Sequence, residues 1–484
     1  MKNYNRVAVI LSLVVFLAWI GIVHYKYSRF GYDDWDLALF SQACWQLLHG
    51  TQFVPLIGIN YFGDHSYFIT FLTLPFFAAL QGPLTLVSLK IAAFAASAYL
   101  FYRIASEKLG AVPGLVLMAL YVFFPPNIFS LLYEYNPESF APPVLFWMFI
   151  AFEKQNWKSF FAAAVLLMTV KENMALIVGM FGIYALIDRK YPFKVAWGAI
   201  LAGACAFFIL TIYVIPHFRH LPQHAFVVRY RLFGNSVGEI LYHFVTRPGM
   251  VLSMLLKETN IHYIQELFGV LLIPSLIGWP WLILASPLLL QHLLSNHLPE
   301  HTIYYFYAAS LSPFIFMAAT RALTLFRKGK VLAVLLALLA VFSVFQFSIY
   351  AQMFADRIDG HRDGLQAVRQ SFVSAIPDGE GVIATFDYLA PLSLRRDLYS
   401  FHKIYDAYYQ DSQKIKESEL NTALSFVLPE NVHYALIDFR DPWFQYTYRQ
   451  NPKKTRWVVK TFLQKYHWKT IKRYGDIYLY KRSA

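Results

Sequence analysis

Cysteine is nearly missing from this chain. Its 484 residues include two, Cys44 and Cys205, both in apolar surroundings, which gives no ground for a disulfide framework or a cysteine metal site. Charge is scarce as well: 15% of residues are charged against 57% hydrophobic, a balance that excludes an ordinary soluble protein of this length. Acid is the scarcer sign, 29 Asp and Glu against 42 Lys and Arg, for a net charge of +13. In a membrane protein that excess points to basic cytoplasmic loops and to anionic lipid or phosphate contacts. Nucleic acid is not expected as a partner, because no basic run with interleaved aromatics occurs. The chain has no glycine-rich phosphate loop, no Ser/His/Asp nucleophile signature, no internal repeat and no low-complexity region.

Apolar length is what the chain has in quantity. Lys2 and Arg6 precede a first span at about 7–23 with no small-residue cleavage site after it. This predicts a retained signal anchor, with the N-terminus in the cytoplasm and residue 24 onward outside. Further spans are expected at about 84–103, 111–130, 139–153, 159–171, 174–187, 194–215, 264–277, 280–295, 304–320 and 331–350, about eleven in all. Residues 66–82 are apolar but short and broken by Pro75 and Gly82. They read as an interfacial or re-entrant helix of the first outer loop, 24–83, since that choice keeps Arg103 and Lys108 inside. Under it the N-terminus and four charged inner loops hold thirteen Lys and Arg, and the short outer turns 131–138 and 295–303 hold none. The fold class expected is an α-helical polytopic membrane protein. Its transmembrane domain covers 1–351, and a soluble extracytoplasmic α/β domain covers 352–484. In that tail GVIATFDY, YALIDF and GDIYLYKR read as strands, and 363–376, 412–426 and 454–466 as helices.

The first outer loop carries Asp33, Asp34 and Asp36 directly after the first span, followed by Leu37, Phe40, Cys44, Leu47 and Leu48 at helical spacing. This pattern predicts an amphipathic helix on the membrane surface. Acids at a water–lipid boundary cost desolvation free energy and need partners or chemistry to justify them. The plain reading is an acidic helix start suited to the N-terminal dipole. More polar residues gather on the same face: Asp64 and His65 in the first loop, Glu134, Asn136 and Glu138 in the second outer turn. Lys171 and Glu172 end an outward span, and His297, Glu300, His301, Tyr304 and Tyr305 occupy a late outer turn. Plain readings exist here too. Glu138 caps a helix after Pro137, Lys171 and Glu172 snorkel or pair with each other, and His65 bonds to Asp64. Convergence from at least four outer segments favours a site, because ionisable residues near a bilayer usually face a cavity or pathway. The mixture suits group transfer from a lipid-linked phosphate donor. A carboxylate acts as general base towards an acceptor hydroxyl, while Lys171 with Arg229 or Arg231 offsets charge on a leaving phosphate. Clustered carboxylates are also able to hold a divalent cation, Mg or Mn, for that task. A glycosidase-like acid and base pair is a further formal option.

At this point a resemblance appears. An Asp pair soon after the first span, a helix ending in LLHG and a short apolar segment beyond it resemble the GT-C superfamily of polytopic glycosyltransferases. Within that superfamily the chain is similar to a bacterial family of predicted membrane proteins of unknown function. Its DLxxFxQxxW…LxxG stretch is matched by Asp36, Leu37, Phe40, Gln42, Trp45, Leu48 and Gly50. A His-initiated apolar segment is matched from His65. An acidic-x-His-Pro-Glu turn is matched by residues 134–138, with Asn136 in place of His, and a Lys-Glu-acidic motif by Lys171 and Glu172, with Asn173 in third place. The resemblance covers about residues 30–350. It implies a GT-C fold in the bacterial inner (cytoplasmic) membrane and inverting transfer of a sugar from a polyprenyl phosphate to a glycan, lipid or protein acceptor. Asp36 or Asp34 would be the base, and Glu134 would orient the acceptor or a metal. Asp33, His65, Asn136, Glu138, Lys171, Glu172, Arg229, Arg231, His301 and Tyr304 would bind substrate. The Asn136 and Asn173 departures leave metal dependence open. The alternatives are a transporter or flippase, disfavoured by polar residues at one membrane edge, and an envelope scaffold working through its external domain.

Overall fold

The computed structural model describes residues 2–32, 35–220, 225–327, 330–403 and 428–482. Within them, six helices are long and apolar enough to cross a membrane: Asn3–Ser28, Pro83–Leu109, Phe193–Arg219, Glu258–Ile277, Phe306–Phe326 and Lys330–Asp359. A seventh is reached if Ala111–Val122 and Pro125–Leu132, bent by 48°, are one span. The eleven crossings expected from hydropathy are therefore not matched by length. Helices Trp157–Met168 and Met174–Ile187 have 12 and 14 residues, short of the ~20 a perpendicular crossing needs. The first and last long helices leave Leu13, Leu17, Val344 and Phe345 exposed. Such side chains need a bilayer to cover them.

The chain divides into two units, residues 1–23, 60–75 and 87–358 in one, and 24–59, 76–86 and 359–484 in the other. In the first unit, helices Met174–Ile187 and Phe193–Phe208 approach closely through glycine. A Cβ on Gly182 would stand 2.5 Å from the Ala196 carbonyl oxygen, and one on Gly203 2.5 Å from that of Ala175. Small residues that let backbones meet are how membrane helices gain packing without a hydrophobic drive. The second helix continues through a π-helical stretch, Ile209–Val214, a local widening that often accompanies a functional site.

The second unit is built on a five-stranded mixed sheet of β1 (Gly381–Ala384), β2 (Leu398–Ser400), β3 (Val432–Asp438), β4 (Trp468–Tyr474) and β5 (Ile477–Arg482). The order is β2-β1-β3-β5-β4. β1 runs parallel to β2 and β3, and β5 is antiparallel to β3 and β4. All four residues of β1 are buried, as befits a parallel strand covered on both faces. Ile383, Val432, Ala435 and Ile437 meet Val458 and Phe462 of helix Pro452–Lys465 in the core. That helix and Pro442–Gln450 start on Asn451 and Asp441, whose side chains accept from the N–H of Lys454 and Phe444. The three strands and the helices near 363–376 and 454–466 fall where the sequence puts them, while β2 and β4 were not foreseen. The helix expected at 412–426 lies outside the described residues.

Helix Asp36–Leu48 belongs to this second unit. It does not show one buried stripe: residues 37–44 and Gln46 are all buried. Gln46 Nε2 donates to the Arg396 carbonyl at 2.7 Å, and Gln42 Nε2 lies 3.3–3.5 Å from those of Arg395, Arg396 and Leu398. Gln42 Oε1 accepts from the Leu56 N–H. The two glutamines thus dock this helix onto the loop that leads into β2.

Candidate functional site

The short helix Pro125–Leu132 ends in the turn carrying Glu134, Asn136 and Glu138. Its last carbonyls would be orphaned in an apolar setting. Buried Lys90 meets that need: Nζ donates to the carbonyls of Ser130, Leu131, Tyr133 and Glu134 at 2.7–3.3 Å. A cation also suits a helix C-terminus. Beyond it, Asn136 Oδ1 accepts from the Glu138 N–H at 3.0 Å, so Asn136 and not Glu138 is the cap.

Lys171, Glu172 and Asn173 form the tight turn between helices Trp157–Met168 and Met174–Ile187. Lys171 does not pair with its neighbour. Nζ sits 2.6 Å from Glu138 Oε1, and both side chains are about 95% buried. Glu172 Oε1 instead meets His65 Nδ1 at 2.6 Å, and Oε2 accepts from the N–H and Oγ–H of Ser66. The expected His65–Asp64 bond is thereby replaced by one from a turn more than a hundred residues away. Burial pushes the His65 imidazole below its usual range, against the pull of Glu172. Asn173 Nδ2 donates to Gln291 Oε1 at 2.9 Å.

Opposite these turns, Arg229 pairs with Glu300, which is wholly buried. Burial would raise the Glu300 carboxyl, but the Arg229 charge and its other positive neighbours hold it below the ordinary value. Oε2 of Glu300 has no hydrogen-bond partner among the described residues.

These groups border a cavity of about 560 Å³ in the first unit, lined by His65, Lys171, Glu172, Asn173 and Arg229. Phe207, Phe208, Thr211, Ile212, Leu290 and Leu294 form part of an otherwise largely apolar wall. Thr211 and Ile212 come from the π-helical stretch. The cavity is therefore amphipathic, a greasy wall meeting a charged end.

Four residues singled out from sequence thus share one cavity: His65, Lys171, Glu172 and Arg229. Glu138 pairs with Lys171 and Asn136 caps the turn at Glu138, and neither is among the lining residues. Glu134 is buried in the turn held by Lys90. Arg231 is exposed and not among the lining residues. His301 is fixed between Asn260 Oδ1 and the Ser295 carbonyl, both at 2.7 Å. Tyr304 donates to Glu266. Neither His301 nor Tyr304 lines the cavity. Asp36 opens its helix half-buried in the second unit, where a carboxylate suits the helix dipole. Asp33 and Asp34 lie outside the described residues. Sequence reading missed Lys90, Tyr230 and Gln291. Lys90 and Gln291 each interrupt an apolar run, a signal of a buried polar role; Tyr230 had none.

A divalent ion needs several oxygens converging on one point. Among the described residues no three His, Cys, Asp or Glu side chains do so, and Glu138 and Glu172 are already matched to Lys171, His65 and Ser66.

A family model described as predicted membrane protein (DUF2079) matches residues 26–472. The chain belongs to that family. No curated protein matches it. Among solved structures it is similar to ArnT from Cupriavidus metallidurans in the apo state, over 97% of both chains, with a TM-score of 0.50 and 11% identity. At that identity the likeness is one of fold alone. Fold does not by itself assign chemistry.

Proposed function

We propose that this DUF2079 protein is an inverting glycosyltransferase. It moves a sugar from a polyprenyl-phosphate-linked donor to an acceptor at the extracytoplasmic face of the bacterial inner membrane. The observation that carries the reading is the amphipathic cavity: about 560 Å³ in which one end offers Lys171 and Arg229 and the wall is apolar. A polyprenyl phosphate has that same division, a hydrocarbon tail joined to an anion. The ArnT-like fold supports it. The N-terminus lies in the cytoplasm in this reading, the chain crosses about eleven times, and the sheet-bearing unit lies outside.

Lys171 uses one N–H on Glu138 and has two more to give a phosphate oxygen. Arg229 offers the planar fork that suits phosphate. Both would offset charge growing on the leaving group. Asp36, with Asp34 second, takes the acceptor hydroxyl proton as that oxygen attacks the anomeric carbon and the carbon–phosphate-oxygen bond breaks. Glu134 orients the acceptor.

The test is sugar loss from undecaprenyl-phosphate-linked donors extracted from bacterial membranes and supplied to the protein in lipid nanodiscs, followed by mass spectrometry. Asp36→Asn should abolish transfer while the protein inserts and folds normally. Full activity in that variant removes the proposed base. Failure of the wild-type protein to consume any polyprenyl-phosphate sugar removes the reading.

A further inference from the structure

Asn173 directly precedes helix Met174–Ile187, the position of a helix cap, and Asn is among the best capping residues. Its side chain nevertheless makes no capping bond to that helix. Nδ2 donates instead to Gln291 Oε1 at 2.9 Å, on helix Ser286–Leu294. Oδ1 is buried and has no hydrogen-bond partner among the described residues. Asn173, only 7% exposed, and the half-buried Gln291 both line the cavity. The plain reading is a polar tie between two membrane helices, a common use of such amides. A tie alone does not account for a buried acceptor left without a donor, which is costly and rare.

Chemistry narrows what completes the pair. The spare amide oxygen only accepts, so its partner must bring an O–H or N–H. A phosphate diester offers acceptors alone, and a hydrocarbon tail offers neither. A hydroxyl does both: it donates to Asn173 Oδ1 or accepts from Gln291 Nε2, which carries two N–H groups. Turning both amides over moves the spare oxygen to Gln291, and the pair still presents one acceptor and N–H donors. In a polyprenyl-phosphate sugar the hydroxyls belong to the sugar. We propose that the Asn173–Gln291 amide pair recognises hydroxyl groups of the donor's sugar. This rests on the donor reading above and names the residues that read the sugar. Lys171, two residues before Asn173 in the same turn, lines the cavity as well. One turn would then engage the phosphate through Lys171 and the sugar through Asn173.

The test compares lipid diesters of equal charge and equal tail that differ only in the sugar. The probes are farnesyl methyl phosphate and the farnesyl phosphates of glucose, mannose, galactose and arabinose, titrated into the protein in nanodiscs by calorimetry. Empty nanodiscs give the background. At least one sugar diester should bind the wild-type protein about tenfold tighter than the methyl diester, the worth of one or two neutral hydrogen bonds. In the double variant Asn173→Leu with Gln291→Met that advantage should fall below twofold, with methyl diester binding kept. Replacing both amides by apolar groups of similar shape is the change least expected to harm folding. Should the double variant fail to fold, Gln291→Met alone must show the same fall. An advantage that survives these changes overturns the inference. So does an equal loss of all five diesters, the mark of a tie between helices. A wild-type protein that binds the methyl diester as tightly as every sugar diester also overturns it, and leaves the lipid phosphate reading standing. No binding of any diester overturns both.

Discussion

The two units hold their buried polar groups in different ways. In the membrane unit the pairs join side chains far apart in sequence, Glu138 with Lys171 and His65 with Glu172, and they gather at a cavity. In the sheet-bearing unit Arg369 with Asp363 and Arg440 with Asp438 are local pairs, and Gln42 and Gln46 reach backbone carbonyls. A side chain bonded to backbone pins one element to another. Two side chains bonded to each other at a cavity can exchange a partner for a ligand. On the proposed function the contrast separates polar residues that build from polar residues that bind, and mutants can test it.

The largest effect should come from Lys171→Met, which leaves Glu138 as a lone buried charge. Breaking such a pair costs about 3–5 kcal/mol, read as a lower thermal unfolding temperature in detergent. The double variant Lys171→Met with Glu138→Gln should recover most of that stability and still fail to bind polyprenyl phosphate. If the double variant binds as wild type does, the pair is a strut and the contrast between the units falls. Lys90→Met should come next. It removes a charged donor from several carbonyls, about 1.5–3 kcal/mol, and loosens the turn that carries Glu134 to Glu138. Lys90→Arg should restore part of the stability, because a guanidinium can still cap the helix end.

What the sequence could show follows the same divide. Apolar length announced a membrane protein, and alternation in the tail announced three of the five strands. His65, Lys171, Glu172 and Arg229 were legible as site candidates because ionisable residues beside apolar runs are costly unless used. Their partners were not legible. Nothing in the spacing says that Glu172 reaches back to His65, or that Lys171 prefers Glu138 over its own neighbour. Those pairings depend on how turns meet in three dimensions. The helix Asp36–Leu48 was misjudged for a related reason. Its apolar positions fit a surface stripe, but Gln42 and Gln46 are donors that find backbone carbonyls, so the polar face is buried too. By length, six or seven helices among the described residues qualify as spans where hydropathy reads eleven, because hydropathy alone does not see where a 12-residue helix stops.

Gln42→Leu sharpens the comparison from the other unit. It removes weak contacts to three carbonyls and leaves the Leu56 N–H without its acceptor. An unsatisfied buried donor costs about 1–2 kcal/mol. The loss should show in hydrogen exchange across residues 37–48 and the strand β2, while polyprenyl phosphate binding to the cavity is kept. An equal loss of binding would mean that this glutamine serves the site and not only the docking of its helix.

The smallest effect is a pH dependence confined to the sheet-bearing unit. Hydrogen bonds from Arg369 hold the Asp363 carboxyl down at about 2, against a modest push from burial. A carboxylate lowered in the folded state contributes stability that is present above its unfolded value, ~3.9, and fades as pH falls through 2. Unfolding of the wild-type chain followed between pH 4.5 and 2 should therefore include a component that Asp363→Asn lacks, with the two proteins converging at the acid end. The side chain is about a third exposed, so water and salt screen the pair and the difference should shrink in 0.5 M salt. The Lys171–Glu138 pair, about 95% buried, should show no such salt response. If both pairs respond alike, burial is not what distinguishes them, and the two units use their charges for the same end.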